Sequence, residues 1–168
     1  MVDSLSGLLK VRIQRGVDLA IRDVRMSSDP YVVLRMGKQK LKTKVIKKNV
    51  NPVWNEELTL CVEDPTLPVR LEVFDRDRFS ADDPMGVAEF TIAPFMEAVK
   101  MNTGDLPDGT VIDKVMPCRK NCLAEESAIY CLKGRVMQDV VLRLRNVECG
   151  EIELQLEWFS IHGGKAGL

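Results

Sequence analysis

The chain of 168 residues contains a single histidine and no apolar run close to the ~20 residues that a membrane-spanning helix needs. The histidine, His162, lies in a glycine-rich tail, so a Ser/His/Asp catalytic set is not expected. The first residues lack a basic flank followed by a long apolar segment, and we therefore expect no secretory signal. Five cysteines at irregular spacing leave at least one unpaired, which favours reduced thiols in the cytosol or nucleus.

Charge of neither sign is in excess. The formal net charge is −1, charged residues make up 29% of the chain and hydrophobic residues 45%. This composition is typical of an ordinary globular domain and provides no overall attraction to nucleic acid or to a membrane. If charge matters to this protein, it acts through local separation of acidic and basic residues.

Apolar and polar residues alternate at every second position along most of the chain, which is typical of strands with one buried face. Turn-forming residues such as Gly37 and Pro52 separate these segments. The pattern predicts an all-β fold, an eight-stranded antiparallel β-sandwich in a single domain that covers residues 1–168. The clearest alternating segments are residues 9–13, 32–36, 40–45, 58–62, 69–73, 140–144 and 152–158.

Residues 93–138 depart from this rhythm. Pro94 is placed to begin a short helix with Phe95, Met96 and Val99 on one side. A turn-rich stretch follows, then residues 110–117, which alternate like a strand, and then an aperiodic stretch. A long segment inserted between sandwich strands is a place where a specific function is often located. We therefore treat residues 93–138 as an insertion within the domain.

Five aspartates fall on two loops of the predicted sandwich. Asp75, Asp77 and Asp83 follow a strand with the spacing D-x-D-x5-D, and Asp23 and Asp29 lie on the loop between the first two strands. Both loops can reach one edge of a sandwich, where five carboxylates cannot all stay ionised without a countercharge. Hard oxygen ligands on flexible loops suit Ca²⁺.

Other residues of these loops have expected roles as well. The backbone carbonyls of Arg22 and Arg76 lie beside the ligand aspartates and can complete the shell, and Ser80 is a candidate outer ligand. Asp82 is expected to be only a solvent-facing neighbour. Any one aspartate taken alone would be explained by a turn or a helix cap, but the set of five is not.

Three rival sites fit the sequence less well. The D-x-D after a strand is also found in aspartate-nucleophile phosphatases, but those use an α/β fold with alternating helices. An EF-hand fails because no Gly or Glu falls at its sixth and twelfth positions when counted from Asp75. Cys118 and Cys122 lack a second ligand pair for zinc.

The motifs S-D-P-Y-V, N-P-V-W-N-E and F-D-R-D-x5-D-x-M-G together resemble a C2 domain over about residues 5–92 and 139–160. The strand order resembles the type II circular arrangement of that family. The resemblance implies Ca²⁺ as the cofactor, usually two ions, held by the residues that match its ligand positions. These are the side chains of Asp23, Asp29, Asp75, Asp77 and Asp83 and the main-chain oxygens of Arg22 and Arg76.

A single C2 domain with an insertion before its last two strands is further similar to the plant C2-domain abscisic-acid-related family, which includes small GTPase-activating proteins. This resemblance implies calcium-dependent recruitment of abscisic-acid receptors to the plasma membrane. It also implies stimulation of an unconventional YchF-type G protein, so the protein itself would not be an enzyme. The alternative is a pure recruitment adaptor without GTPase-activating activity.

A lysine run follows the second strand. In an arbitrary sandwich this run would be a solvated face, but C2 domains often bind anionic lipid headgroups there. Nucleic acid is disfavoured as a partner because no stacking aromatics accompany the lysines. We expect an anionic phospholipid membrane to bind here, with Met26 and Phe79 as inserting side chains on the calcium loops. The lipid-binding lysines are predicted to be Lys38, Lys40, Lys42 and Lys44, of which the last three share one face of the third strand.

The expected location is the cytoplasm, from which calcium recruits the protein to the plasma membrane. The lysine run also fits a nuclear import signal, so the nucleus stays open as a second location. Arg119 and Arg135 of the insertion are candidates for an arginine supplied to a G protein, although an exposed arginine is far more often an ordinary surface residue.

Overall fold

Ten strands and one short helix make up the described part of the protein, a computed structural model that covers residues 7–22, 28–101 and 104–161. Within these residues no helix is long and apolar enough to cross a membrane. In chain order the elements are β1 (Gly7–Val17), β2 (Pro30–Met36), β3 (Gln39–Lys42), β4 (Val53–Val62), β5 (Val69–Asp75), β6 (Asp83–Phe90), α1 (Ala93–Lys100), β7 (Val111–Val115), β8 (Ser127–Leu132), β9 (Arg135–Arg143) and β10 (Glu151–Ser160).

The strands form two antiparallel sheets. One has the order β4-β1-β10-β9-β8-β7 and the other the order β3-β2-β5-β6. β1 is central in the larger sheet because it pairs with β4 on one side and with β10 on the other. Its apolar residues Leu9, Val11 and Ile13 are fully buried, while the alternating polar positions face outward. The strand order, with the first strand leading into the first loop and the last strand paired with it, agrees with the predicted C2 sandwich.

The predicted number of eight strands is wrong, since ten are observed. In β6 the residues Met85 and Gly86 are both buried, and Gly86 has φ 110°, so the two-residue alternation is broken there. In β8 the inward positions include Ser127 and Cys131, which hide the apolar period from the sequence. Strand patterns are recognised by their apolar residues, so strands with small or polar inward residues are missed.

The predicted helix is confirmed as α1, with Pro94 in its first turn and Phe95, Met96 and Ala98 buried. The rest of residues 93–138 contributes β7, β8 and the beginning of β9 to the larger sheet. Phe95 and Ile129 belong to the same hydrophobic cluster as the sandwich strands. The insertion is therefore packed into the common core.

Glu72 on β5 ties the outer face of the smaller sheet together. Its carboxylate accepts hydrogen bonds from Arg35 (2.8 Å) and from Arg70 (3.3 Å). Burial raises the pKa of Glu72, but the hydrogen bonds and charges of the two arginines outweigh burial, so the pKa lies below its ordinary value. The ionised form of Glu72 is therefore favoured in the folded state.

We expect Glu72→Gln to lower the free energy of unfolding at neutral pH by about 1 kcal/mol, because both arginines are partly exposed and screened. A group with a lowered folded-state pKa stabilises the protein above its unfolded pKa and loses this effect as pH falls through the folded value. Urea unfolding should therefore show the difference from wild type shrinking as pH falls from about 6 to about 3. Glu97→Gln, on the exposed face of α1, is the control; a pH-independent difference at Glu72 would contradict the assignment.

Candidate functional site

Three of the predicted ligand aspartates lie at the same end of the smaller sheet, at the ends of three neighbouring strands. Asp29 immediately precedes β2, Asp75 is the last residue of β5, and Asp83 is the first residue of β6. The register places Asp75 opposite both Pro30 and Asp83. Antiparallel pairing of β5 with its two neighbours thus brings these three residues to one end of the sheet.

Backbone hydrogen bonds hold two of these residues in place. The N–H of Asp29 donates to Oδ1 of Asp75 (2.8 Å), and the N–H of Arg76 donates to the carbonyl of Asp29 (3.0 Å). Oδ1 of Asp29 accepts the N–H of Lys48 (2.7 Å). Asp75 is only 6% exposed. The carboxylates of Asp29 and Asp75 are therefore positioned by the folded backbone.

Asp77 organises the loop between β5 and β6. Its Oδ1 accepts the N–H of Phe79 (3.0 Å), and its Oδ2 accepts the hydroxyl of Ser80 (2.7 Å). The backbone hydrogen bond from Phe79, helped by Ser80, lowers the pKa of Asp77. Ser80, a candidate outer ligand from sequence, donates to Asp77, and Phe79 is 94% exposed.

The expectation that Asp82 is a solvent-facing neighbour is wrong. Asp82 is half-buried, and its Oδ1 accepts the N–H of Asp77 (2.8 Å) while its Oδ2 accepts the hydroxyl of Tyr31 on β2. The ring of Tyr31 stacks on Phe74, with 5.7 Å between centroids. Asp82 thus fastens the loop that carries Asp77 to the neighbouring strand. The sequence contained no signal for this pairing, since the two residues are 51 positions apart.

The contact between Tyr31 and Asp82 shifts the pKa values of both groups. The backbone hydrogen bond from Asp77, followed by the bond from Tyr31, lowers the pKa of Asp82. Burial and the bond to Asp82 raise the pKa of Tyr31 to about 12. The ionised carboxylate and the neutral phenol are therefore the stable combination at neutral pH.

The first loop is closed by Ser28, which is fully buried. Its hydroxyl donates to the carbonyl of Ala20 (2.8 Å) and accepts the N–H of Arg22 (2.9 Å). The Arg22 guanidinium makes two hydrogen bonds of 3.0 Å to Glu148, on the loop between β9 and β10, and these bonds lower the pKa of Glu148 to about 2. The base of the loop is therefore fixed on two sides.

Asp23 and Met26, which the sequence places at the calcium and membrane sites, lie outside the described residues. Among residues 7–22, 28–101 and 104–161, no three histidine, cysteine, aspartate or glutamate side chains are grouped so that they could hold a metal ion. The described donors are carboxylates and carbonyls, which suit hard cations. Each carboxylate oxygen has two lone pairs, so one hydrogen bond leaves acceptor capacity. The donor chemistry thus fits Ca²⁺, with Asp23 as the remaining predicted carboxylate.

Cationic side chains flank the end of the smaller sheet that carries Asp29, Asp75 and Asp83, which we call the acidic edge. Two adjacent depressions of about 450 and 520 Å³ lie beside Asp29 and Asp82, and the sequence prediction included only part of their basic lining. Lys47 and Lys48 end the lysine run of the sequence, whereas the side chains of Arg76 and Arg78 come from the β5–β6 loop and were not expected to join it. The basic residues that line one or both depressions are Lys42, Lys44, Lys47, Lys48, Arg76 and Arg78.

The four predicted lipid-binding lysines, Lys38, Lys40, Lys42 and Lys44, are all exposed, but they do not all lie on one strand face. β3 ends at Lys42, so the expectation that Lys44 continues this strand is wrong. The N–H of Lys44 donates to Glu56 (2.9 Å), and its carbonyl accepts the indole N–H of Trp54 (3.0 Å). Lys44 is thereby tied to β4, while the N–H groups of Thr43 and Ile46 still donate to carbonyls of β2.

We expect Tyr31→Phe to loosen the β5–β6 loop, because Asp82 then keeps only its bond to the Asp77 amide. The free energy of unfolding should fall by about 1 kcal/mol, and amide exchange at Asp77 and Phe79 should accelerate. Tyr130→Phe is the matched control, since the Tyr130 hydroxyl donates to Asp139 (2.9 Å) on the other sheet. Unchanged exchange at Asp77 in Tyr31→Phe, measured by NMR, would rule out a positioning role for the hydroxyl.

The comparisons with known proteins agree with this geometry. The model of the C2 domain family matches residues 7–106. GTPase activating protein 1 of Oryza sativa subsp. indica is 64% identical over 165 residues, which cover 98% of this chain and 99% of the relative. Protein C2-DOMAIN ABA-RELATED 5 of Arabidopsis thaliana is 60% identical, and the match covers 97% of this chain and 81% of the relative.

Solved structures show the same fold. A tandem pair of C2 domains from Extended-Synaptotagmin 2, described as calcium bound, matches with a TM-score of 0.62 and 24% identity over 95% of this chain and 48% of that chain. A single C2 domain of plant Extended Synaptotagmin 1 matches with a TM-score of 0.63 and 22% identity over 95% of this chain and 98% of that chain. The chain therefore belongs to the C2 domain family and, within it, to the plant single-C2 family of C2-domain ABA-related proteins and GTPase activating protein 1.

Proposed function

We propose that this protein is a calcium-dependent phospholipid-binding module that recruits signalling partners to the plasma membrane. The observation that carries the proposal is the convergence of Asp29, Asp75 and Asp83 at one edge of the smaller sheet, beside a cationic surface. Carboxylates and cations placed side by side are suited to a bound divalent cation and an anionic headgroup. The exposed ring of Phe79 lies on the same loop as Asp77.

The residues that would hold two Ca²⁺ ions are the predicted ligands: the carboxylates of Asp23, Asp29, Asp75, Asp77 and Asp83 and the carbonyls of Arg22 and Arg76. The bound ions would supply positive charge, changing the local charge of the five carboxylates from about −5 to about −1, and coordination positions for lipid phosphate.

The protein's own residues would orient the contact with the membrane. Asp29 and Asp75 keep the edge in register through their backbone bonds, and Asp82 holds the loop that presents Phe79. The lysines beside the edge would meet anionic headgroups, each contributing about 1 kcal/mol near the surface. The protein would act from the cytoplasm, with the nucleus as a second location. Abscisic-acid receptors are the proposed cargo, supported by the names of the relatives.

Sedimentation with phosphatidylcholine/phosphatidylserine vesicles tests this function. Wild type should pellet in Ca²⁺ and stay in solution in EGTA, while Asp77→Asn/Asp83→Asn should need about tenfold more Ca²⁺ because two anionic ligands are lost. Lys42→Gln/Lys44→Gln and Phe79→Ala should weaken vesicle binding at saturating Ca²⁺.

Asp105→Asn/Glu125→Gln, at two exposed positions in the insertion, is the charge-matched control and should behave as wild type. Ca²⁺ should also raise the melting temperature of wild type more than that of the double variant, since it binds only the folded loops. Equal vesicle binding in EGTA and in Ca²⁺ would overturn the calcium switch.

A second proposed activity is stimulation of a YchF-type G protein, supported by the name of the relative at 64% identity. The two candidate arginines differ in their surroundings. Arg135 pairs with Glu157 (2.9 Å) and lies over the ring of Phe159, 4.3 Å from its centroid. Arg119 is exposed and makes no ion pair within the described residues. Arg119 is therefore the better placed of the two to enter a partner's site.

Phosphate release by a purified YchF-type G protein measures this activity. Wild type should accelerate release, and Arg119→Gln should reduce the acceleration by at least about tenfold if this arginine stabilises the transition state. Lys133→Gln, an exposed position elsewhere in the insertion, should keep it. A G protein that hydrolyses GTP equally fast with and without this protein would leave the pure adaptor as the function.

A further inference from the structure

The arginines of the described chain fall into two groups. Six of the eleven pair with a glutamate within 4.0 Å, and the other five make no ion pair with any described residue. The unpaired arginines are not scattered. Arg76 and Arg78 flank the acidic edge, and the other three lie together where the insertion meets the end of β9. The paired arginines are Arg12, Arg15, Arg22, Arg35, Arg70 and Arg135.

Arg119, Arg143 and Arg145 line one depression of about 430 Å³, which we call the arginine pocket. Its walls come from residues 117–124 of the insertion and from the C-terminal end of β9, and no described carboxylate lines it. All three arginines are exposed. Three guanidinium groups that face one depression without a countercharge repel one another, so an anionic occupant would stabilise this surface.

Backbone contacts build the pocket firmly. Asn121 accepts the N–H groups of Cys118 (3.1 Å) and Leu123 (3.2 Å) through its side-chain oxygen and donates to the carbonyl of Met116 (3.0 Å). The Arg145 guanidinium donates to the carbonyls of Asn121 (2.6 Å) and Arg119 (3.3 Å). A surface that is already ordered loses little entropy on binding.

The position of the pocket separates it from the proposed lipid surface. Arg145 bridges to Val87 of β6, which is one edge strand of the smaller sheet, and the lysines of β3 lie at the opposite edge. Three strand spacings of about 4.8 Å place the two edges roughly 14 Å apart. A membrane that contacts the β3 edge therefore leaves the pocket accessible to a second molecule.

We propose that the arginine pocket is a docking site for an acidic segment of a partner protein, whose carboxylates pair with Arg119, Arg143 and Arg145. Planar guanidinium groups match carboxylates with two parallel hydrogen bonds, which provides direction as well as attraction. The pocket would be the surface at which a recruited partner binds, so its biological role rests on the proposed function. Its ability to bind carboxylates does not depend on Ca²⁺ or lipid.

The test is a titration of ¹⁵N-labelled full-length protein with an octaglutamate peptide, in EGTA and without lipid, with octaglutamine as the neutral peptide. The largest chemical-shift changes are expected at the amides of Arg119, Asn121, Arg143 and Arg145. Arg119→Gln/Arg143→Gln should weaken peptide binding about five- to tenfold, because two exposed charge pairs are lost. Arg12→Gln/Arg15→Gln, which removes the same charge from glutamate-paired sites, should leave the affinity unchanged.

Two results would overturn the proposal: shift changes confined to the β3 lysines or the acidic edge, or an unchanged affinity in the Arg119→Gln/Arg143→Gln variant. A third arm measures sedimentation with phosphatidylserine vesicles in EGTA. If that variant loses vesicle binding but keeps peptide binding, the pocket is a lipid site and the proposal is wrong. Because the peptide titration contains no Ca²⁺, a failure of the calcium switch and a failure of the pocket give different results.

Discussion

Antiparallel pairing of β5 with β2 and β6 is the constraint on which the candidate site depends. Asp29, Asp75 and Asp83 are brought together because β5 pairs with both β2 and β6, and the chain cannot move one of them without disturbing the register of the sheet. Backbone N–H groups fix two of the three side chains, since Asp29 and Asp75 each accept one. The paired strands of the buried sandwich thus keep these acidic residues in place.

The loops that extend from this edge are fastened by polar contacts rather than by apolar burial. Tyr31 holds Asp82, and Asp82 holds the amide of Asp77. On the other loop, the hydroxyl of Ser28 and the Arg22–Glu148 pair serve the same purpose. These polar contacts leave the exposed ring of Phe79 outside the core while they limit where the side chains of Asp77 and Asp82 lie.

The insertion changes the distribution of charge over the surface. It packs its helix and two strands into the common core and carries Arg119 to the end of β9, where it lies beside Arg143 and Arg145. The protein therefore has cations beside both edge strands of the smaller sheet, β3 and β6, and the acidic residues lie at the strand ends between them. The two cationic surfaces are therefore separate, and a molecule on one of them would not cover the other.

Alternation of apolar residues was enough to determine the sandwich class and to locate every described strand except β6 and β8, because the buried face of each strand carries its own apolar signal. Pro94 and the apolar residues after it located the helix. The D-x-D-x5-D spacing likewise located the acidic loop. Only the tertiary structure decided which distant groups meet. Strands β6 and β8 carry small or polar inward residues, the pairing of Tyr31 with Asp82 joins positions 51 apart, and the arginine pocket needs the insertion to pack against β9. Contacts between distant segments depend on strand register and packing, which local sequence patterns do not encode.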